Sequence, residues 1–424
     1  LEKSRIRWRF TIVTDASTDP PAAPVWARDD AFPAAPAGYG WVDVKGRRFP
    51  CDSLESLTAQ VRDDRHAAVF LVWTPDAPAM RLPEEIDAFA GALAVARDRW
   101  TRDDLEFASS RLRWLTWLLL GLSGWQFLVG MAAASRRFGV ETLAERASFG
   151  VRSVLGSTTL GLLLLGFVIF GFIPWYQARK RRAELGHWTA ESAAALLPVL
   201  RFESWLTLQA APVTRVFLIL MALVGVAQIV SPHSSPAAAG LVKLSYLQGE
   251  WWRLFTAPFL HGNLVHFLMN MAALVYLGKR LEVFARWPHL SLVFLFAATV
   301  GGEASVRFVT ATSVGASGGL MGWLGFLIVF ESLHGKLIPR SARRRLLAGV
   351  FLTALIGLLG YRFIDNAAHA GGLLAGMAYA AIVFPKSSSP NRPGTTLTDR
   401  LAGGAALGVL AAAAAYAILR IISG

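Results

Sequence analysis

Along this chain long apolar runs alternate with short basic clusters, the pattern of helices crossing a lipid bilayer. A hydrocarbon core of about 30 Å takes roughly 18 or more apolar residues per helix. Spans are predicted at Leu115–Ala134, Val154–Tyr176, Val213–Val230, Phe259–Leu277, Leu290–Val306, Ala316–Phe330, Leu346–Gly360, Ala367–Phe384 and Leu401–Ile422, about nine helices in all. The N-terminal quarter breaks this pattern. Short β-like runs (Ile6–Val13, Gly40–Val44, Ala67–Trp73) alternate there with turns such as Asp19-Pro20-Pro21. A helical stretch then runs from Pro83, followed by Glu84-Glu85, to about Ser109.

The predicted fold class is an all-α polytopic membrane protein with a small α+β soluble N-terminal domain. Residues 1–110 form that domain, expected on the cytoplasmic side, and residues 111–178 hold two additional transmembrane helices. Residues 179–211 read as an amphipathic cytoplasmic connector, with Trp188, Leu196, Leu197, Leu200 and Trp205 resting at the interface. Residues 212–385 contain a core of six spans, and 386–424 a Ser/Pro/Gly loop and one extra transmembrane helix.

Composition sharpens this picture. With 54% hydrophobic and 17% charged residues, the 424-residue chain is too apolar for an ordinary soluble globule. Its net charge of +13 gathers in alternate loops: Arg179-Lys180-Arg181-Arg182, then Lys279, Arg280 and Arg286, then Lys336, Arg340 and Arg343-Arg344-Arg345, then Lys386, Arg392 and Arg400. Such loops mark the cytoplasmic side, which puts the N-terminus inside and the C-terminus outside. Opposite loops hold fewer cations, except for Arg136, Arg137, Arg146 and Arg152. The positive charge faces anionic lipid and calls for no nucleic acid. Cys51 is the single cysteine, so no intrachain disulfide forms, and thiol catalysis has no support. No apolar signal segment follows Leu1, so the first spans are expected to do the targeting. His66 reads as an ordinary surface or packing histidine.

Polar side chains inside spans are expensive, and they draw attention as functional. Gly315-Ala316-Ser317-Gly318-Gly319 frames a serine at the start of the short sixth span. From Ser317 to Glu331 a helix rises about 21 Å. With Glu331 marking the inner interface, the serine sits several ångströms below the outer face, and Thr310–Ser313 descend to it as loop. Irregular backbone at that depth needs protein or water around it. A helix N-terminus there favours negative charge developing on a carbonyl, as a nucleophile requires. The alternative is a small-residue packing face. The Gly-x-Ser-x-Gly elbow of soluble hydrolases needs a preceding strand, which is missing.

Downstream, His369 shares a helix face with Gly372 and Gly376. A facing surface of Gly318, Gly319 and Gly322 would let two helices close and bring this imidazole to Ser317 as its base. A structural hydrogen-bonding histidine is the alternative. Asp365 is only a weak candidate to orient the ring, so a Ser-His dyad is expected. His266 and Asn270, four apart, share a face and would donate to an oxyanion, or else serve as interhelical glue. His261 is expected to point elsewhere, towards the membrane surface, and Glu303 to lie towards water. Convergence of His261, His266 and His369 on a metal lacks a carboxylate or cysteine, so neither metal nor cofactor is expected.

The series Trp252-Arg253-Leu254-Phe255-Thr256, His261, His266 and Asn270, Gly278 and Glu282, Gly315-Ala316-Ser317-Gly318, and Ala368-His369 with Gly372 and Gly376 resembles the rhomboid intramembrane serine proteases over roughly residues 212–385. The resemblance implies a six-helix catalytic core with Ser317 as nucleophile and His369 as general base. His266, Asn270 and the Ser317 backbone amide would form the oxyanion hole. It places Trp252 and Arg253 in a membrane-embedded first outer loop and makes Glu282 structural, with Gly315, Gly318, Gly372 and Gly376 as motif glycines. The last span resembles an extra C-terminal helix of some members, whereas the N-terminal domain and the two spans after it depart from the simple bacterial pattern. The implied function is a serine endopeptidase cutting transmembrane segments of other proteins near the outer face. Its partners would be transmembrane substrates, membrane lipid and an unknown cytoplasmic partner of the N-terminal domain. A bacterial inner membrane with a cytoplasmic N-terminus is the expected location. The rivals are a non-catalytic rhomboid-like binder of membrane helices and a transporter, the latter weakened by the lack of inverted repeats. Deleting residues 1–110 is expected to leave cleavage intact.

Overall fold

The computed structural model describes residues 23–65, 68–185, 190–231, 235–361 and 364–423. The strand expected at Ile6–Val13, together with His66 and Trp188, lies outside the described residues. In the N-terminal unit, β1 (Tyr39–Val42) pairs antiparallel with β2 (Arg48–Cys51) across a turn in which Gly46 takes a φ of 82°. Helix α1 (Leu54–Asp63) follows, opened by Ser53, whose hydroxyl accepts from the Ser56 amide at 3.1 Å. β3 (Leu71–Trp73) then pairs with the other side of β1, giving the order β2-β1-β3. β2 and α1 add to the expected elements. Pro50 disguises β2, and it is tolerated because the strand lies at the sheet edge. Leu57 and Val61 of α1 close a small core with Val72, Phe89 and Leu93.

The helical stretch expected to end near Ser109 does not end there. α2 runs unbroken from Ala90 to Phe138, 49 residues, and stops at Gly139, whose φ of 62° is the left-handed conformation that favours glycine at a helix C-terminus. A helix, α3 (Leu143–Leu155), replaces the expected loop around Arg146 and Arg152 and packs back on α2. There Gln126 donates to the Ser153 hydroxyl at 2.8 Å, and Gly130 leaves room for Gly150 and Ser153. The second span is α4 (Thr158–Phe167), a π-type turn at Val168–Phe172, and α5 (Ile173–Leu185). Arg181 ties α5 to Asp104 of α2 at 2.7 Å.

The connector is α6 (Ala190–Leu208), and its aromatic residues are buried by protein. Phe202 stacks on Phe284 at 5.6 Å and Trp205 packs on the same ring at 5.9 Å. Trp26 of the N-terminal unit meets Phe202 edge-on at 6.0 Å and donates its indole N–H to the Leu337 carbonyl at 2.8 Å. Arg201 pairs with Glu85 and donates to the Arg28 carbonyl at 2.8 Å. The N-terminal unit is therefore docked on the connector and the core.

In the core, α7 (Pro212–Val230) leads into α8 (Ser235–Ala239), α9 (Lys243–Leu247) and α10 (Arg253–Thr256), short helices of one long loop. Helices α11 (Leu264–Ala285), α12 (Trp287–Phe308), α13 (Ser317–Leu333), α14 (Arg340–Leu359), α15 (Asn366–Val383) and α16 (Leu397–Ser423) complete the fold. Among the described residues six helices are long and apolar enough to cross a membrane, or seven if a bent pair counts as one. That pair corrects the fourth expected span. The chain turns by 93° between Arg253–Phe259 and Leu264–Ala285, so the helix starts at Leu264 rather than Phe259. Asn263 caps the new start, its side chain accepting from the His266 amide at 2.9 Å.

α13 is the short apolar helix at the centre. Trp323 sits there between Phe217 and Phe294, 5.3 Å from each ring, its N–H satisfied by the Leu290 carbonyl at 2.9 Å. The Glu282 carboxylate accepts from the Val213 and Thr214 amides, at 2.9 and 2.7 Å, and from the Thr214 hydroxyl at 2.7 Å. It thus caps α7 with a favourable charge. Glu331 does not mark an aqueous interface. It is fully buried against Arg280, which stacks 5.1 Å over Phe202.

Candidate active site

Ser317 is the first residue of α13, and the Ala316 side chain before it offers no cap. The first amides of a helix have no partner within it, so those at Ser317 and the next residues are available to a ligand. The approach is held on two sides. Ser313 exchanges backbone hydrogen bonds with Leu241, at 2.9 and 3.2 Å, and the Gly315 amide donates to the Ala257 carbonyl at 3.0 Å. Gly315 has a φ of 120°, and a Cβ there would stand 2.6 Å from His266 Cε1 and 3.4 Å from Asn270 Nδ2. Glycine is required both by conformation and by space.

His266 and Asn270 thus reach the loop that delivers the serine. Asn270 is buried, and its Nδ2 has no hydrogen-bond partner among the described residues. An orphaned buried donor is costly unless a ligand or water completes it, and this one faces the Gly315 backbone beside the serine. His261 is not at the surface. It is buried, its ring 5.2 Å from His266 and 5.1 Å from Phe267, and paired backbone bonds to the Gln228 amide, at 2.9 and 3.0 Å, fix it.

The helix of His369 is pressed onto that of Ser317 through glycines. A Cβ at Gly372 would lie 2.0 Å from the Gly318 carbonyl oxygen, and one at Gly376 1.8 Å from that of Gly322. Gly325 makes a third contact, its absent Cβ 2.2 Å from the Leu373 carbonyl oxygen. Gly319 differs from expectation: one position round the helix, it accommodates the Phe294 ring of α12. Gly318 faces Ala368, so Ser317 and His369 adjoin this contact from the two helices. No hydrogen bond joins the two side chains among the described residues. Catalytic hydrogen bonds commonly tighten only when substrate is bound.

Asp365 has a larger part than expected. It caps α15, with Oδ1 accepting from the Ala368 amide at 2.9 Å, and its Oδ2 accepts from the hydroxyls of Ser305 and Ser313. Lys243 donates to the Ser313 hydroxyl at 2.6 Å. Burial pulls this ammonium down to about 8, against the opposing pull of Asp365. The four residues, from α9, α12, the loop before Ser317 and the start of α15, join the segments around the site. Their separation in sequence hid the group; the available signal was an aspartate, Asp365, standing just before an apolar helical run.

In the same loop Arg253 is buried and donates to the Ala237 and Gly240 carbonyls at 2.9 and 2.8 Å. Trp252 lies edge-on to Tyr416 of α16 at 5.1 Å. Glu303, expected towards water, is half-buried and accepts from the Tyr246 hydroxyl.

Residues 248–386 match the family described as "Rhomboid domain". Over 170 residues the chain is 36% identical to RHOMBOID-like protein 6, mitochondrial, of Arabidopsis thaliana, a match covering 38% of this chain and 54% of the relative. It is 34% identical over 147 residues to Rhomboid protease GluP of Bacillus subtilis (strain 168), covering 34% of this chain and 28% of the relative. It is 30% identical over 139 residues to Inactive rhomboid protein 1 of Papio anubis, covering 32% of this chain and 16% of the relative. The matched region contains Ser317, His369, His266, Asn270, Ser305, Ser313 and Asp365 and leaves out Lys243. Over these residues the chain is similar to the rhomboid family. It spans about half the length of the first of these relatives and less of the others.

Proposed function

We propose that this protein is an intramembrane serine endopeptidase, with Ser317 and His369 as its dyad. The observation that carries this reading is the glycine-mediated contact of α13 and α15, which sets a serine at an uncapped helix N-terminus beside a histidine on the adjoining helix. In the proposed cycle Ser317 Oγ attacks the scissile carbonyl while His369 takes its proton. The oxyanion is held by the Ser317 amide, by Asn270 Nδ2 and by His266. His369 then protonates the leaving amine, and water releases the acyl-enzyme by the reverse proton path. The substrate is a transmembrane segment of another protein, unwound locally so that its carbonyl reaches the serine. A bacterial inner membrane is the proposed location, and the basic loops support an orientation with residues 1–110 in the cytoplasm.

A relative named as inactive motivates a second reading, a binder of membrane helices without catalysis. A mechanism-based reagent that acylates or phosphonylates activated serines separates the two. Ser317 in the wild type should label and Ser317→Ala should not. Failure of folded wild type to label would favour the binder.

A further inference from the structure

At the end of α13 remote from Ser317, a cleft of about 240 Å³ opens between α13 and the start of α14. Three arginines, Arg340, Arg343 and Arg344, line one side, and Ile328, Leu346 and Leu347 supply an apolar wall. Glu331 also borders the cleft, but its charge is already matched by Arg280. Arg345 is likewise engaged, with Glu203 at 3.2 Å. Neither Arg340 nor Arg344 forms an ion pair with any described residue. Among the described residues the Nε of Arg343 is buried without a hydrogen-bond partner, and its Nη1 donates to the Glu331 carbonyl at 3.4 Å. The cleft therefore carries two guanidinium groups, Arg340 and Arg344, without an ion pair among the described residues, and one orphaned donor, beside an apolar surface. Leu347, 55% exposed, continues that surface outward along α14.

We propose that this cleft binds a phosphate group, supplied by the headgroup of an anionic phospholipid. Guanidinium groups bind phosphate through paired N–H donors, and basic pockets between membrane helices suit anionic headgroups. The apolar wall gives the acyl chains a path that a free anion would not use. The cleft lies about 21 Å along α13 from Ser317, so its ligand makes no contact with the candidate catalytic residues. The proposal does not rest on the protease reading.

The test uses the full chain in detergent micelles, with native mass spectrometry to count lipids retained after addition of dioleoylphosphatidylglycerol or dioleoylphosphatidylcholine. Wild type should retain phosphatidylglycerol in preference to phosphatidylcholine. Arg340→Gln and Arg344→Gln, both at surface positions, should each weaken retention, and the triple variant with Arg343→Gln should weaken it about tenfold or more. Arg345→Gln removes an equal charge outside the cleft and should leave retention unchanged. Equal losses from Arg345→Gln and Arg344→Gln would reduce the effect to diffuse charge and overturn the site, as would undiminished retention by a folded triple variant. Displacement of the lipid by millimolar inorganic phosphate would support the phosphate subsite and overturn the lipid as its source.

Discussion

Gly372→Ala is the most informative single perturbation of the helix contact beneath the site. Its new Cβ would stand 2.0 Å from the Gly318 carbonyl oxygen, backbone against backbone, with no flexible side chain to yield. Close carbon-to-oxygen contacts between helices settle near 3.3 Å, so α13 and α15 must separate by about 1.3 Å at this point. Gly318 adjoins Ser317 and Gly372 lies one turn from His369, so the separation is passed to the proposed dyad. A shift of about 1 Å in a catalytic pair costs about 100-fold in rate, while overpacking costs about 1–3 kcal/mol of stability. The assay is steady-state cleavage of a fluorogenic transmembrane peptide in micelles, with unfolding measured on the same preparations. Gly372→Ala should lower kcat about 100-fold in protein that remains folded. Gly408→Ala on α16 meets nothing within 4 Å and should behave as wild type. A folded Gly372→Ala enzyme with unaltered kcat would refute the reasoning that this contact sets the geometry of the dyad.

Three further outcomes follow from other contacts. Asp365→Ala removes the cap of α15 and should cost about 1–2 kcal/mol in unfolding measurements, with a fall in kcat that Asp365→Asn largely restores, since asparagine also caps helices. Buried Lys243 titrates near 8, below its usual 10.5, so between those values the unfolded chain holds a proton that the folded chain has released. Stability should rise as pH climbs through that window, and Lys243→Met should flatten the slope in denaturation curves; an unchanged slope would remove Lys243 as its source. Deleting residues 1–110 strips Trp26 from Phe202 and Glu85 from Arg201, so the melting temperature should fall, while cleavage by the fraction that stays folded should persist.

Much of this architecture could be read from residue spacing. Ser317, His369, His266 and Asn270 stand out as candidates because a polar residue in an apolar helix is conspicuous and helical periodicity fixes its face. Gly372 and Gly376 announced a close helix contact for the same reason. Periodicity fails where the helix stops. His261 was misplaced because it lies before the bend at Leu264, where spacing from His266 no longer measures an angle. Glu331 resembled an interface marker because its partner, Arg280, lies on another helix. The Lys243, Ser305, Ser313 and Asp365 group is made of four isolated polar residues that only tertiary structure assembles. Similarly, α6 had the composition of an interfacial helix, and nothing local revealed that Phe284 and Trp26 cover its aromatic face.

The central claim is the dyad, and cleavage tests it most directly. Wild type, Ser317→Ala and His369→Ala should be compared on a tagged transmembrane substrate in liposomes, with the fold of each verified. The account predicts product from wild type alone; cutting by either folded variant at the wild-type rate would contradict it.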